Sequence, residues 1–150
     1  WKKDPDFPLN NGLYKGAKIL VAGDNFGTGS SREHAPWGLQ DWGFEAIIST
    51  KFADIFRLNS INIGLVPIET NQENVEALFS KIDTDSETII QISIEDKTVV
   101  CGDISFSFSL DDFSQKRIVE GLDKIDITLG YLDQIENFSQ SRKHWKPKLV

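Results

Sequence analysis

The chain has 150 residues, of which 39% are hydrophobic, and its ten Phe and four Trp provide enough apolar surface for one core. Its formal net charge of −7 argues against a nucleic-acid backbone or an anionic membrane as the main partner. No apolar run approaches the ~20 residues that span a bilayer, so we expect a single cytoplasmic domain over residues 1–150.

The first half of the chain alternates short apolar runs with helical patterns. Three buried strands are predicted, at "AKILVAG" (17–23), "FEAIIST" (44–50) and "GLVPIE" (64–69). Three helices are predicted, at "PWGLQDW" (36–42), "KFADIFRLNSIN" (51–62) and "NQENVEALFSKI" (71–82). Gly43 is a helix stop, Asn71 a helix cap, and Pro67 indicates an edge strand or the end of a strand. Strands that alternate with helices are typical of a parallel sheet.

The second half has a different pattern. Apolar and polar residues alternate in three segments, "TIIQISIED" (88–96), "KTVVCG" (97–102) and "ISFSFSL" (104–110). This alternation predicts antiparallel strands with one wet face. Two helices are expected to follow, over 111–122 with a cap near Asp111 and over 130–145. The fold class is therefore a mixed α/β domain with parallel and antiparallel strands and flanking helices.

Cysteine and histidine are too sparse for a metal or disulfide site. Cys101 is the only cysteine, so this chain can form no internal disulfide and cannot bind an iron–sulfur cluster unaided. The two histidines, His34 and His144, are far apart in sequence and have no partner at metal-ligand spacing.

A polar turn, "FGTGSSREH" (26–34), separates the first strand from the first helix. A dinucleotide fingerprint would need a third glycine where Arg32 stands, and a P-loop would need a lysine that is lacking. A nucleophile elbow has the form G-x-S-x-G, whereas Ser30 and Ser31 follow Gly29 directly. These common phosphate and hydrolase loops are disfavoured.

A simple helix cap is the structural alternative. The stretch from Ser30 to Glu33 fits a capping box, S-x-x-E. Pro36 would then be the sixth helical residue, where its ring clashes with the carbonyl four residues earlier. We therefore expect the helix to begin within 32–35, with Pro36 in its first turn and both serines in the loop before it. This weakens the capping interpretation without removing it.

The same turn has groups suited to anion chemistry. The beginning of a helix presents unpaired N–H groups and a partial positive charge, and Arg32 adds a guanidinium that can bind a carboxylate at two points. Glycines on both sides of Thr28 allow the backbone to approach a ligand closely. Converging donors also stabilise a serine alkoxide. These residues predict carboxylate binding with proton transfer at Ser30 or Ser31. For Asn59 and Asn62, which precede the third strand, a structural role is the preferred interpretation and a position near the turn is the lesser alternative.

Four segments together resemble the small-subunit family of 3-isopropylmalate dehydratase, within the aconitase superfamily. They are "DPDFPLN" (4–10), "FGTGSSREHAPWGLQDWGF" (26–44), "FADIFRLNSINIGLVPIE" (52–69) and "EGLDKIDITLGYLDQIENF" (120–138). The resemblance implies a swivelling β/β/α three-layer domain that closes over an active site in a separate large subunit. It also implies that this chain binds no cofactor, because the family's [4Fe-4S] cluster is bound by large-subunit cysteines. The reaction implied is the interconversion of 2-isopropylmalate and 3-isopropylmalate by dehydration and rehydration.

The resemblance also assigns roles within the turn. Ser30 matches the serine that acts as general base, and Ser31 and Arg32 match residues that support the base and bind the hydroxy-diacid substrate. Gly27, Thr28, Gly29, Glu33 and His34 are expected to support the shape of the turn. No metal ligand is assigned in this chain.

Two features depart from the family pattern. Thr28 stands where many relatives have Cys, and we assign it a packing or backbone role. The family's N-terminal segment, which contains substrate-contacting residues, is expected before "WKKDPDF". Two alternatives stay open: a non-catalytic module that binds carboxylates or a partner, and an isomerase of a citramalate-type or homoaconitate-type acid.

Overall fold

Three short parallel strands form the centre of the fold. A computed structural model describes residues 4–29, 32–143 and 145–146. In it the strands are β1 (Ile19–Val21), β2 (Ala46–Ser49) and β3 (Val66–Glu69). They pair in the order β1–β2–β3, with Leu20 opposite Ile47 and Ile47 opposite Pro67. Pro67 therefore lies in an edge strand, as predicted, where its missing N–H does not interrupt the sheet.

Helices α1 (His34–Trp42) and α2 (Asp54–Asn62) connect these strands, and a third helix, α3 (Gln72–Thr84), follows β3, as parallel pairing of consecutive strands leads one to expect. Gly43 ends α1 with a φ of 122°, and its N–H donates to the carbonyls of Leu39 and Gln40. The Asn71 side chain caps α3 by accepting from the Asn74 N–H at 2.9 Å. The predicted helix end at Gly43 and the predicted helix cap at Asn71 are both confirmed.

An antiparallel sheet follows, made of β4 (Gln91–Ser93), β5 (Thr98–Cys101) and β6 (Ile104–Ser107). The predicted antiparallel pairing is confirmed, with Ile92 opposite Val99 and Val99 opposite Phe106. The first strand is shorter than the predicted 88–96, because residues 94–97 form the turn into β5.

The two sheets pack face to face and share the larger core. Ile48 and Ile68 of the parallel sheet are fully buried against Val99 and Cys101 of β5. Ile47 points to the other face, into a second core with residues of α1, α2 and the loops beside them. A helical layer, a parallel sheet and an antiparallel sheet are therefore stacked, which is the expected β/β/α arrangement.

The last part of the chain is helical, with α4 (Asp112–Glu120), α5 (Lys124–Leu129) and α6 (Leu132–Ser141). Asp111 caps α4, as predicted, by accepting from the Ser114 N–H. Helix α5 was not predicted from the sequence. A capping box between Asp123 and Asp126 stabilises its beginning. The prediction of a helix over 130–145 is wrong at both ends, because α6 begins at Leu132 and ends at Ser141. In the described part of the chain, no helix combines the length and the apolar character needed to cross a membrane.

Candidate functional site

The polar turn lies at the carboxyl edge of the parallel sheet. Ser49, the last residue of β2, is fully buried, and its hydroxyl lies 2.7 Å from the Gly23 carbonyl oxygen and 3.0 Å from that of Lys51. The Thr50 hydroxyl donates to the Asp24 carboxylate at 2.8 Å. These bonds join the segment that leaves β1 to the segment that leaves β2. The turn therefore starts from a position set by both strands.

Phe26 connects the turn to the start of α2. The Phe26 N–H donates to the Lys51 carbonyl and the Ala53 N–H donates to the Phe26 carbonyl, each at 2.9 Å, which makes an isolated parallel bridge. The Phe26 ring contacts Phe52 and Phe56 edge to face, at centroid distances of 6.2 Å and 5.4 Å. Such edge-to-face pairs are favourable beyond the area they bury.

Two glycines give the turn its shape. Gly27 and Gly29 have φ values of 79° and 95°, a region that residues with a Cβ rarely adopt. A Cβ at Gly27 would also lie 2.6 Å from the Cβ of Phe56, whereas a Cβ at Gly29 would meet nothing within 4 Å. Thr28, between them, is exposed, so its side chain does not pack in the core. Its predicted backbone role stays a prediction.

Helix α1 begins at His34, inside the predicted window, and Pro36 lies in its first turn. Glu33 occupies the N-cap position, and its side chain makes no capping hydrogen bond. The capping box with Ser30 as N-cap is therefore wrong, because the cap falls three residues later. The His34 ring lies against the Trp37 ring at a centroid distance of 5.2 Å, and both side chains are exposed.

The two serines at the centre of the prediction, Ser30 and Ser31, lie outside the described residues, so their roles stay predictions. Arg32 is described: it is exposed and directly precedes the N-cap of α1. Its backbone carbonyl lies 3.5 Å from the Ala35 N–H, which begins the helical hydrogen bonding.

Asn62 does not lie at this edge. Helix α2 begins beside the carboxyl end of β2 and ends with Asn62 before β3, which is the opposite edge of a parallel sheet. There its side-chain oxygen accepts from Arg117 of α4 at 3.2 Å. The lesser alternative for Asn62, a position near the turn, is therefore excluded, because a helix that connects parallel strands returns the chain to their starting edge.

Sequence reasoning missed several residues that hold the turn. Ser49 and Thr50 had a readable signal, since they are polar residues directly after a buried parallel strand, where binding sites of such sheets form. Phe56 had no such signal, because an apolar residue on an amphipathic helix normally packs in the core. Among the described residues, no group of three or more His, Cys, Asp or Glu side chains could hold a metal ion.

Comparison with known proteins adds an independent observation. The family profile of the aconitase C-terminal domain matches residues 2–73, which include the turn and the whole parallel sheet. The 3-isopropylmalate dehydratase small subunit of Micrococcus luteus is 46% identical over 147 residues, which are 98% of this chain and 73% of that protein. The chain belongs to the 3-isopropylmalate dehydratase small-subunit family. The small subunit of Thermobifida fusca, also 46% identical, agrees, with 98% of this chain and 75% of that protein covered.

A solved structure supports the same family at the level of the fold. The crystal structure of 3-isopropylmalate dehydratase (leuD) from Methanocaldococcus jannaschii superposes with a TM-score of 0.64 at 27% identity. The match covers 90% of this chain and 75% of that one. The small-subunit family and its aconitase-type swivel fold, both expected from the four segments that resemble this family, are confirmed.

Proposed function

We propose that this chain supplies the proton-transferring serine to a 3-isopropylmalate dehydratase that it forms with a separate large subunit. The observation that carries the proposal is the G-S-S-R-E-H motif between β1 and α1, in a chain 46% identical to a named small subunit. The reaction removes water from 2-isopropylmalate to give 2-isopropylmaleate, and then adds water back to give 3-isopropylmalate. This hydro-lyase step belongs to leucine biosynthesis.

Ser30 is the proposed general base. In the dehydration direction it takes the proton from the carbon next to a substrate carboxylate, and in the rehydration direction it returns that proton. A serine needs its alkoxide stabilised to act in this way. The beginning of α1 presents N–H groups without helical acceptors, and no acidic side chain lies in the first helical turn. Both features support an anion at this position.

Arg32 is the proposed carboxylate-binding group, with Ser31 beside it. The Arg32 side chain is exposed at the start of α1, where a diacid could reach it from solvent. A guanidinium binds a carboxylate through two parallel hydrogen bonds, which fixes orientation as well as charge. Holding the carboxylate in this way would set the position of the neighbouring carbon relative to the base.

The iron–sulfur cluster is assigned to the large subunit. Cys101, the only cysteine, is 1% exposed and packs in the core between the two sheets, so its sulfur is not available as a surface ligand. The described residues do not fit a cluster, and we derive no step of this chain through one. The cytoplasm is the expected location for such a biosynthetic subunit.

The test is reconstitution of the enzyme from its two subunits. The chain is mixed with a large subunit that contains a reconstituted cluster, and the conjugated intermediate formed from 2-isopropylmalate is followed by ultraviolet absorbance. Ser30→Ala should lower kcat by roughly 10²- to 10⁴-fold, the range for loss of a general base, with assembly unchanged. Ser80→Ala, at an exposed serine on α3, is the matched control and should keep the wild-type rate.

The outcomes separate the alternatives. Near-wild-type turnover by Ser30→Ala would remove the base assignment. Binding of 2-isopropylmalate without conversion would favour the non-catalytic module. Conversion of a citramalate-type or homoaconitate-type acid in preference to 2-isopropylmalate would change the substrate and keep the reaction class.

A further inference from the structure

Phe56 lies directly beneath the glycine turn, although it belongs to the next helix. It is the third residue of α2 and is 2% exposed. The Ser60 hydroxyl, also buried, donates to the Phe56 carbonyl at 2.8 Å. Its ring stacks on Phe52 with 5° between the ring planes and contacts Phe26 edge to face. The side chain therefore has a well-defined position.

Gly27 is the turn residue whose backbone lies against this side chain. A Cβ built on Gly27 would lie 2.6 Å from the Phe56 Cβ and 2.7 Å from its Cδ2, distances that non-bonded carbon atoms essentially never adopt. The backbone of Gly27 thus packs against the Phe56 side chain, and a residue with a Cβ would not fit at position 27. Only two residues, Thr28 and Gly29, separate this contact from Ser30.

We propose that Phe56 is a positioning residue for the reaction: its side chain supports the backbone of Gly27, in the part of the turn that leads along the chain to the proposed base. This inference rests on the base role proposed above for Ser30. The bridge between Phe26 and Phe52 lies just before Gly27, and helix α1 begins after the turn, at His34. Phe56 therefore adds a support within the turn itself.

A small displacement of the turn would have a large effect on rate. Misplacement of a reacting group by about 1 Å can cost roughly 10²-fold in rate. Phe56→Ala removes the ring atoms that lie against Gly27, including Cδ2, together with the ring contact to Phe26. We therefore expect kcat to fall by roughly 10²-fold in the reconstituted enzyme, per folded molecule.

Phe44 provides a matched control. It is 3% exposed, belongs to the same core cluster as Phe56, and stacks on Trp42 with 4.4 Å between centroids. None of its ring contacts in the described residues involves the turn. Phe44→Ala should lower the melting temperature to a similar extent and leave kcat close to the wild-type value.

Amide hydrogen exchange of the purified chain gives a readout that is independent of turnover. In Phe56→Ala, the amides of Phe26 and Ala53, whose hydrogen bonds form the bridge beside Phe56, should exchange roughly tenfold faster, with those of β2 unchanged. Phe44→Ala should leave these two amides at their wild-type rates. Equal effects of the two variants on kcat, or unchanged exchange of the Phe26 and Ala53 amides in Phe56→Ala, would overturn the proposal.

A pair of glycine variants tests the same contact if Phe56→Ala does not fold. Gly27→Ala and Gly29→Ala both place a Cβ at positive φ, but only the first drives it into Phe56. Gly27→Ala should therefore lose more turnover than Gly29→Ala, and equal losses would count against Phe56. If the wild-type subunits do not convert 2-isopropylmalate, the proposed function fails, whereas the exchange data still decide whether Phe56 supports the turn.

Discussion

The Ser49 hydroxyl lies 2.7 Å from the Gly23 carbonyl oxygen, and this hydrogen bond joins the carboxyl end of β2 to the chain that has just left β1. The Ser49 hydroxyl oxygen also accepts a hydrogen bond from the Lys51 N–H at 3.3 Å. Ser49 is fully buried, so water cannot replace either bond. One small side chain therefore satisfies backbone groups on two neighbouring segments at the base of the glycine turn.

Ser49→Ala should destabilise the chain by about 1 to 3 kcal/mol, because buried backbone groups lose their partner. The midpoint of urea unfolding is the measurement. Ser80→Ala removes a hydroxyl from an exposed helical position and should cost less than about 0.5 kcal/mol. Equal shifts for the two variants would show that the buried bonds contribute little.

Arg32→Lys should raise the KM for 2-isopropylmalate in the reconstituted enzyme. An ammonium keeps the charge but loses the planar pair of donors that binds a carboxylate at two points. A charge-assisted hydrogen bond contributes about 1.5–3 kcal/mol, so kcat/KM should fall by roughly 10- to 100-fold. Arg142→Lys, after the end of α6, is the control. An unchanged KM in Arg32→Lys would argue against direct carboxylate binding.

Ile48→Ala should be among the most destabilising single changes in the parallel sheet. Ile48 is 0% exposed in the core between the two sheets, and removal of a large buried side chain costs about 2 to 5 kcal/mol. Val100→Ala is the comparison, because Val100 lies on the antiparallel sheet with 37% of its surface exposed. Its loss should be under about 1 kcal/mol. Chemical unfolding with urea measures both.

Asp111 should make stability depend on pH at acid values. The hydrogen bond from the Ser114 N–H to its carboxylate lowers the pKa of Asp111 below the ordinary aspartate range. Because the folded pKa is the lower one, the cap contributes fully above the unfolded pKa of ~3.9. That contribution is lost as the pH falls through the folded pKa.

Asp111→Ala should therefore cost about 1 kcal/mol at pH 7, the usual value of a lost helix cap, and the difference from wild type should narrow toward pH 2. Unfolding curves across this pH range measure it. Asp111→Asn keeps an oxygen acceptor without the ionisable group, so it should retain most of the stability and lose the pH dependence. A constant difference between wild type and Asp111→Ala would contradict the assignment.

Local features of this fold were readable from the sequence. Asn71, Asp111 and Gly43 act through hydrogen bonds within a few residues of themselves, so the chain near each one is enough to predict its role. Pro36 predicted the start of α1 for the same reason. A proline deep inside a helix clashes with the carbonyl four residues earlier, so the helix was expected to begin close to Pro36. The length of β4 was overestimated, because alternating residues at 94–97 fit a turn as well as a strand.

The sequence by itself determined the family, the two types of sheet, and the polar turn as the candidate site. These rest on patterns of neighbouring residues and on a motif that needs no knowledge of distant contacts. Only the tertiary structure decided that Gly27 rests on Phe56, that Ser49 bonds to Gly23, and that Asn62 lies at the far edge. Each of these depends on which strands and helices become neighbours, and packing of the whole chain settles that.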